Sequence, residues 1–236
     1  TTTDVVIDLA ALSNDPSGEK FPQATWEINH DARVRIAQIA KSAGVHRYIF
    51  PSSASVYGSQ AKEVTERSET NPLTLYAQAN LSAEKEVLKL HNNTFSVTVL
   101  RQATVYGFSP RMRLDLVVNA MAFKGIRQGK IPAMRSGKQF RPLIHLSDLI
   151  ECIYRVSISK NEAVKGQILN VGFTFQSYQI ENIANKIRDI IKSENGSSPE
   201  IHWYGSSDTR SYIINCEKIE KALPWHPRMT LERGIH

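Results

Sequence analysis

Cysteine and long apolar stretches are both scarce in this sequence of 236 residues. Cys152 and Cys216 are its only cysteines, too few for a disulfide framework, so a reducing cytoplasm is the expected compartment. No apolar run approaches the ~20 residues that cross a bilayer, and we therefore expect no membrane association. The chain does not start with a basic segment followed by an apolar one, so no signal peptide is visible. These features predict a globular cytoplasmic protein.

Blocks of like charge are also missing, although the formal net charge is +6. Lysine and arginine are scattered, and no basic stripe alternates with aromatic residues, so we expect no nucleic-acid partner. His30, His46 and His145 are not at metal-ligand spacing, and we expect no metal site. A few local cations suffice to attract an acidic small molecule such as a diphosphate, and the sequence can supply them.

A glycine-rich phosphate turn is the most informative absence. Neither G-x-G-x-x-G nor G-x-x-G-x-x-G occurs anywhere in the chain. In a dinucleotide-binding sheet this turn joins the first strand to a helix whose N-terminus holds the pyrophosphate. Either the fold is of another kind, or the chain begins partway through a fold of this kind.

Apolar runs and helical spacing alternate through the first hundred residues. Continuous apolar runs, typical of strands buried on both faces, lie at residues 4–11, 46–50 and 95–100. Helical spacing of apolar residues predicts helices over 28–43 and 76–90, and Gly44 stands where a helix C-cap belongs. This order predicts an α/β fold with a Rossmann-like, doubly wound parallel sheet.

The pattern becomes less regular after Gly107. Helical spacing predicts helices over residues 114–128, 146–156 and 180–191, and short strands are predicted at 168–171 and 200–203. We predict a cofactor-binding Rossmann domain over residues 1–107, lacking its first strands. Residues 108–236 would form mainly a smaller α/β substrate-binding lobe, interleaved with the sheet, to which about 143–172 returns.

Four ordered motifs carry a family resemblance. DVVIDLAA at residues 4–11 resembles D-x-V-I/F-H-L-A-A, and SSASVYG at 52–58 resembles S-S-x-x-V-Y-G. YAQAN at 76–80 stands where Y-x-x-x-K belongs, and FRPLIHLSDL at 140–149 looks like R-D-F/Y-I-H-V-x-D-L. Together they resemble the extended short-chain dehydrogenase/reductases of the nucleotide-sugar epimerase/dehydratase type, over essentially the whole chain. The resemblance implies that the first three strands and the glycine-rich turn precede Thr1.

The resemblance implies an enzyme that uses NAD, with NADP not excluded, to oxidise a hydroxyl of a nucleotide-diphosphate sugar. The resulting keto-sugar then takes the hydride back, giving an epimerised or reduced product. Tyr76 would be the general base, which requires its pKa to fall from about 10, and Ser53 would hydrogen-bond the same sugar oxygen. The helices over 28–43 and 76–90 would pair two copies of the chain into a homodimer.

The chain departs from this family at Asn80, which replaces the motif's lysine. Asn80 can hydrogen-bond a ribose hydroxyl but brings no positive charge to lower the pKa of Tyr76; read alone, it is equally typical of a solvated helix residue. The enzyme would then be slow, draw on a cation elsewhere, or be inactive. Our alternative function is therefore a catalytically impaired member that binds a nucleotide or nucleotide-sugar.

The same family resemblance implies which residues bind the cofactor and the substrate. Cofactor positions, besides Tyr76 and Asn80, are Leu9, Ala10, Ala11, Ser13, Asn29, Pro51, Ser52, Gln102 and Ala103. Substrate positions are Ser55, Thr104, Asn119, Arg141 and Arg210. Arg141 is the best phosphate ligand, since a guanidinium can grip two phosphate oxygens at once. Ala54 and Ser55 stand where related dehydratases carry an Asp-Glu pair, so the resemblance favours epimerisation or keto-sugar reduction.

Overall fold

The computed structural model of the protein describes residues 3–13, 15–160, 162–206 and 208–236. Its strands are β1 (Val5–Ile7), β2 (Arg47–Ser53), β3 (Ser96–Gln102), β4 (Thr104–Tyr106), β5 (Lys130–Met134), β6 (Phe140–His145), β7 (Gln167–Val171), β8 (Ser177–Gln179) and β9 (Glu200–Tyr204). Its α-helices are α1 (Asp15–Lys20), α2 (Pro22–Trp26), α3 (Arg33–Ser42), α4 (Leu75–Leu88), α5 (Val117–Gln128), α6 (Leu146–Ile158), α7 (Ile180–Asn195), α8 (Glu217–Ala222) and α9 (Leu231–Ile235). A π-helical segment, Glu27–Ala32, precedes α3, and Ala54–Tyr57 forms a 3-10 turn.

The main sheet is parallel throughout, in the order β1-β2-β3-β7. Because side chains alternate along a strand, Tyr48 and Phe50 face a core shared with α3 and α4, while Ile49 faces a core shared with α6. Helices therefore cover both faces of the sheet. The predicted α/β, Rossmann-like fold is confirmed.

The second part of the chain carries two smaller sheets, β4-β6-β8 and β5-β9. Apolar side chains of α5 and α7 pack with β5 in a core of their own, which includes Met121, Ile131 and Ile187. Two elements within residues 143–172 contact the main sheet: β7 hydrogen-bonds to β3, and α6 packs against β2. Within the residues described, no helix combines the length and apolar character needed to cross a membrane.

Several predicted elements differ from the structure at their boundaries, and two of these differences have a clear physical cause. The strand expected over residues 4–11 ends at Ile7, because the Asp8 side chain turns inward to an ion pair and Leu9 then points to solvent, 72% exposed. The helix expected over 28–43 begins as the π-helical segment and becomes α-helical only at Arg33. It ends at Ser42, and Gly44 follows with a positive φ of 79°, as its predicted capping position requires.

Candidate functional site

A cleft of about 540 Å³ opens at the carboxyl ends of β2 and β3, between the main sheet and the second part of the chain. Ligands of open α/β sheets bind at this edge. Of the residues proposed from the sequence, the cleft brings together Ser13, Ser52, Ser53, Ser55, Tyr76, Gln102, Ala103, Thr104, Asn119, Arg141 and Arg210. Leu9, Ala10, Ala11, Asn29, Pro51 and Asn80 lie outside its lining.

Ser53 and Tyr76 meet because a strand end and a helix start are neighbours. β2 ends at Ser53, whose Oγ accepts a hydrogen bond from the Ser55 amide at 3.1 Å. The Thr74 hydroxyl caps α4, which places Tyr76 in its first turn. Burial raises the pKa of Tyr76, and this outweighs the charge of Arg33 and the hydrogen bond with Ser53, which both lower it.

Asn80 is not a solvated helix residue. It is 1% exposed, because α4 packs that face against the segment leading into α3. Its Oδ1 accepts a hydrogen bond from Arg33 Nη1 at 2.9 Å, and its Nδ2 donates to the Tyr76 carbonyl at 2.8 Å. The ribose contact remains a prediction, whereas a guanidinium beside this position was not anticipated.

Arg33 lies at the centre of a buried hydrogen-bond network and is 1% exposed. Its Nε pairs with the Asp8 carboxylate at 3.1 Å, and its Nη2 donates to the Asp8 and Pro51 carbonyls at 3.1 and 2.7 Å. The Tyr48 hydroxyl donates to the same carboxylate at 2.6 Å, and the Phe50 ring centroid is 3.9 Å from Arg33 Cζ. This network ties β1, β2, α3 and α4 together.

The burial of one helix face explains why Arg33 needs partners, although the sequence alone did not identify it. Asn29, Arg33, Ala37 and Ala40 are all buried, at spacings of a single helix face. A charged residue on an otherwise buried face requires a buried partner.

Asn29 holds the loop that follows β1. It is fully buried, its Oδ1 accepts from the Leu12 amide at 2.8 Å, and its Nδ2 donates to the Leu12 carbonyl at 2.9 Å. Its place in a π-helical turn fits the frequent occurrence of such turns at functional sites. Asn29 thus fixes the backbone that presents Leu9, Ala10 and Ala11 at the sheet edge, rather than presenting its own amide there.

Two predicted substrate arginines form an ion-pair cluster at one end of the cleft. Arg141 Nη2 contacts Asp208 at 2.5 Å, and Arg141 Nη1 donates to the Arg210 carbonyl at 2.6 Å. Arg210 pairs with Asp208 at 2.7 Å and also with Asp15. Burial raises the pKa of Asp208, but the hydrogen bonds and charges of Arg210 and Arg141 outweigh it, so its pKa is lowered.

A third cleft arginine, Arg113, was not anticipated from the sequence. It pairs with Asp115 at 2.6 Å and donates to Ser13 Oγ at 2.6 Å, 100 positions away. Asn119 accepts from the Gly107 amide and donates to the Arg113 carbonyl, both at 3.1 Å, so it holds the loop that carries this arginine. Thr104 lines the cleft nearby.

Ser52 and Ser55 differ although both border the cleft. Ser52 is buried and donates to the Glu84 carboxylate at 2.5 Å. Ser55 Oγ is buried with no hydrogen-bond partner among the described residues, which leaves it available to a ligand. No cluster of three potential metal ligands occurs in the described ranges.

Known proteins resemble the chain over nearly its whole length. It is 28% identical to dTDP-D-glucose 4,6-dehydratase of Mus musculus, over 98% of this chain and 65% of the mouse protein. It is 25% identical to the uncharacterized UDP-glucose epimerase YtcB of Bacillus subtilis, over 98% of this chain and 72% of that protein. The solved structure of MoeE5 in complex with UDP-glucose and NAD superposes with a TM-score of 0.85 at 26% identity, covering 98% of this chain and 76% of MoeE5.

The match to a protein family is equally extensive. Residues 1–172 match the family described as the NAD dependent epimerase/dehydratase family. This span holds the cleft-lining ends of β2 and β3 together with Ser53 and Tyr76. The chain belongs to the NAD-dependent epimerase/dehydratase family, and NAD is its cofactor.

Proposed function

We propose that the protein is an NAD-dependent enzyme that epimerises or reduces a nucleotide-diphosphate sugar through a keto-sugar intermediate. The observation that carries the proposal is the meeting of Ser53 and Tyr76 in one cleft with three arginines. The hydroxyls suit proton removal from a sugar hydroxyl, and the guanidinium groups suit a diphosphate. Free, buried cysteines agree with a cytoplasmic location.

The residues at the sheet edge fit a dinucleotide. Leu9 offers exposed apolar surface in the loop after β1, where the flat ring of an adenosine can lie, and Asn29 fixes that loop. Gln102 ends β3 and Ala103 follows it, both in the cleft lining, where we place the nicotinamide end. NAD supplies hydride acceptance and return when bound.

The proton transfer falls to Tyr76 and Ser53. The Ser53 hydroxyl orients the sugar hydroxyl, and the Tyr76 phenolate removes its proton as the carbon–hydrogen bond breaks. The unpaired Ser55 Oγ offers the sugar a further hydrogen bond. Because burial raises the pKa of Tyr76, we expect the rate to rise with pH through the neutral and mildly alkaline range.

The choice between reaction types follows from the carboxylates. Those that line the cleft within the described residues are Asp15, Asp115 and Asp208, and each is paired with an arginine. Elimination of water from a sugar needs an unpaired acid and base beside the reacting carbons. The cleft supports epimerisation or reduction better than dehydration.

The arginine cluster makes a testable contribution to affinity. The Arg141 guanidinium is held in place by Asp208 and the Arg210 carbonyl. Phosphate oxygens of the substrate would compete with Asp208 for it. We expect Arg141→Gln to weaken UDP binding about tenfold to a hundredfold, the loss of one or two charge-assisted hydrogen bonds. Calorimetric titration of UDP checks this, with the exposed Arg127→Gln as the matched control. Equal Kd values for the two variants would remove Arg141 from the diphosphate site.

Proton NMR of nucleotide sugars tests the reaction itself. UDP-, dTDP-, GDP- and CDP-sugars are incubated with the protein and NAD, with NADH added to detect reduction. A new sugar spin system is the expected result, and it identifies substrate and product together. Binding of a nucleotide sugar without any conversion, across all mixtures, would favour the impaired binding protein instead.

The protein is also proposed to be a homodimer through α3 and α4. Ile39 on α3 is 58% exposed and Ile36 is 36% exposed, on a helix that packs beside α4. Ile39→Glu would place a charge in such an interface, so light scattering should report a dimer for the parent protein and a monomer for the variant. Ile126→Glu, on the exposed face of α5, is the matched control. A monomeric parent protein would exclude this interface.

A further inference from the structure

The proposed reaction requires a positive charge that Asn80 cannot supply. A tyrosine acts as a base at neutral pH only when a nearby cation stabilises its phenolate. Asn80 occupies the lysine position of the motif and is neutral at every pH. The cation must therefore come from another part of the chain or the protein is a poor catalyst.

Arg33 is placed to be that cation. Its Nη1 reaches Asn80 Oδ1 at 2.9 Å, and Asn80 lies one helical turn after Tyr76, to whose carbonyl it donates at 2.8 Å. Resting on the function proposed above, we propose that Arg33 replaces the lysine of the motif as the fixed positive charge beside Tyr76, and that Asn80 is a positioning residue that holds Arg33 there.

The structure gives a reason both for an arginine at position 33 and for an asparagine, in place of the lysine, at position 80. A guanidinium that stays charged and donates in a plane can bind Asp8, Pro51 and Asn80 at the same time, which a lysine ammonium cannot do with fixed direction. A lysine at position 80 would bring a second buried cation against Arg33. Arg33 and Asn80 therefore form one matched pair, carried on different helices.

Several charges surround Tyr76, and their signs differ. Arg33 is the largest influence that lowers its pKa, and Arg113 lowers it as well. Asp15 raises it, as does burial, which is the largest influence of all. Asp8 neutralises part of the Arg33 charge, but it binds the Nε and Nη2 side of the guanidinium, whereas Nη1 is the atom turned towards α4.

The test measures ionisation of Tyr76 directly, without substrate or cofactor. Tyrosine labelled with ¹³C at Cζ reports each phenol by NMR, and Tyr76→Phe identifies the signal. Arg33→Gln should raise the apparent pKa of Tyr76 by about one unit or more. Asp8→Asn, which keeps the cation and removes its counter-charge, should leave that pKa unchanged or lower it. A rise in the pKa of Tyr76 that occurs in Arg33→Gln but not in Asp8→Asn distinguishes an electrostatic role of Arg33 from a general loss of packing.

A double variant in which both members of the buried ion pair are neutral controls for the possibility that Arg33→Gln alone does not fold. Asp8→Asn combined with Arg33→Gln removes both buried charges and keeps hydrogen-bonding groups at both positions, so its fold should survive. We expect the raised pKa of Tyr76 in this variant too. An unchanged Tyr76 ionisation in either folded Arg33→Gln variant would overturn the proposal. The proposed reaction could still fail for other reasons without altering this readout.

Substitutions that move the positive charge from Arg33 to position 80 give a second measurement, the kcat of the active enzyme. Asn80→Lys alone should reduce kcat and the urea midpoint, because it sets two cations together. Arg33→Gln should lower kcat at pH 7 about tenfold, since each unit of pKa reduces the phenolate fraction tenfold, and should move the acid limb of the pH profile upward. Asn80→Lys with Arg33→Gln should recover most of the rate. A gain in kcat from Asn80→Lys alone would contradict the pairing.

Discussion

Replacing Tyr76 with phenylalanine is expected to reduce kcat by about 10²–10⁴-fold, the usual contribution of a general base. The phenyl ring fills the same volume at the start of α4, so the fold and the cleft should persist. The arginines that would hold the diphosphate lie on other segments, and the Kd for UDP should therefore change little. Turnover followed by NMR and calorimetric titration of UDP on the same preparations measure both quantities.

Tyr57→Phe is the matched control for this substitution. Tyr57 is fully buried, lies outside the cleft lining, and its hydroxyl donates to Asn170 at 2.7 Å and accepts from Arg101 at 3.0 Å. Its loss should lower the free energy of unfolding by about 1 kcal/mol and leave kcat near the parent value. Equal turnover in Tyr76→Phe and Tyr57→Phe would exclude Tyr76 as the base.

The sheet could be predicted from the sequence because burial on two faces leaves a simple pattern. The runs at 46–50 and 95–100 overlap β2 and β3, and the strand predicted at 168–171 lies in β7. The strand predicted over residues 4–11 was wrong at its end, because Leu9 is apolar yet exposed, and apolar character alone cannot distinguish a strand from an exposed loop. The short strands β4, β5, β6 and β8 lie in smaller sheets whose pairing the local pattern does not specify.

The residues of the candidate site also differ in whether the local sequence could predict them. Ser53 and Tyr76 could be placed because each belongs to a local motif at a strand end or a helix start. Arg33 could not, because its role depends on contacts with residues 25 and 47 positions away, and only the tertiary fold brings these together. Arg113 is a further case, since its partner Ser13 lies on another segment.

Arg101→Met is expected to lower the free energy of unfolding by about 3–5 kcal/mol, because it leaves a buried carboxylate without its cation. Arg101 and Glu84 are 4% and 1% exposed and pair at 2.8 Å, with two further contacts from Arg101 Nε. Burial lowers the pKa of Arg101, but the charge and hydrogen bonds of Glu84 outweigh it and keep the guanidinium charged. Urea unfolding, compared at a constant slope, measures the loss.

Two further variants show whether the loss of stability in Arg101→Met depends on the burial of the ion pair or on ion pairing in general. Arg155→Met breaks a half-exposed pair with Glu151 on α6 and should change stability by no more than about 0.5 kcal/mol. Glu84→Leu combined with Arg101→Met should recover most of the loss, since an apolar pair can replace a buried ion pair. A loss in Arg101→Met no greater than that in Arg155→Met would show that water reaches Glu84.

The same variant should also affect catalysis, because the pair positions the site. Glu84 lies on α4, eight residues after Tyr76, and accepts a hydrogen bond from Ser52, the neighbour of Ser53. Arg101 lies on β3 and joins this carboxylate to the strand beside β2. We expect Arg101→Met to lower kcat more than it raises the Kd for UDP, since Arg141 and Arg113, which we propose for the diphosphate, pair with Asp208 and Asp115 rather than with residues of α4. A lowered urea midpoint with unchanged kcat would mean that Tyr76 and Ser53 keep their geometry without this buried pair.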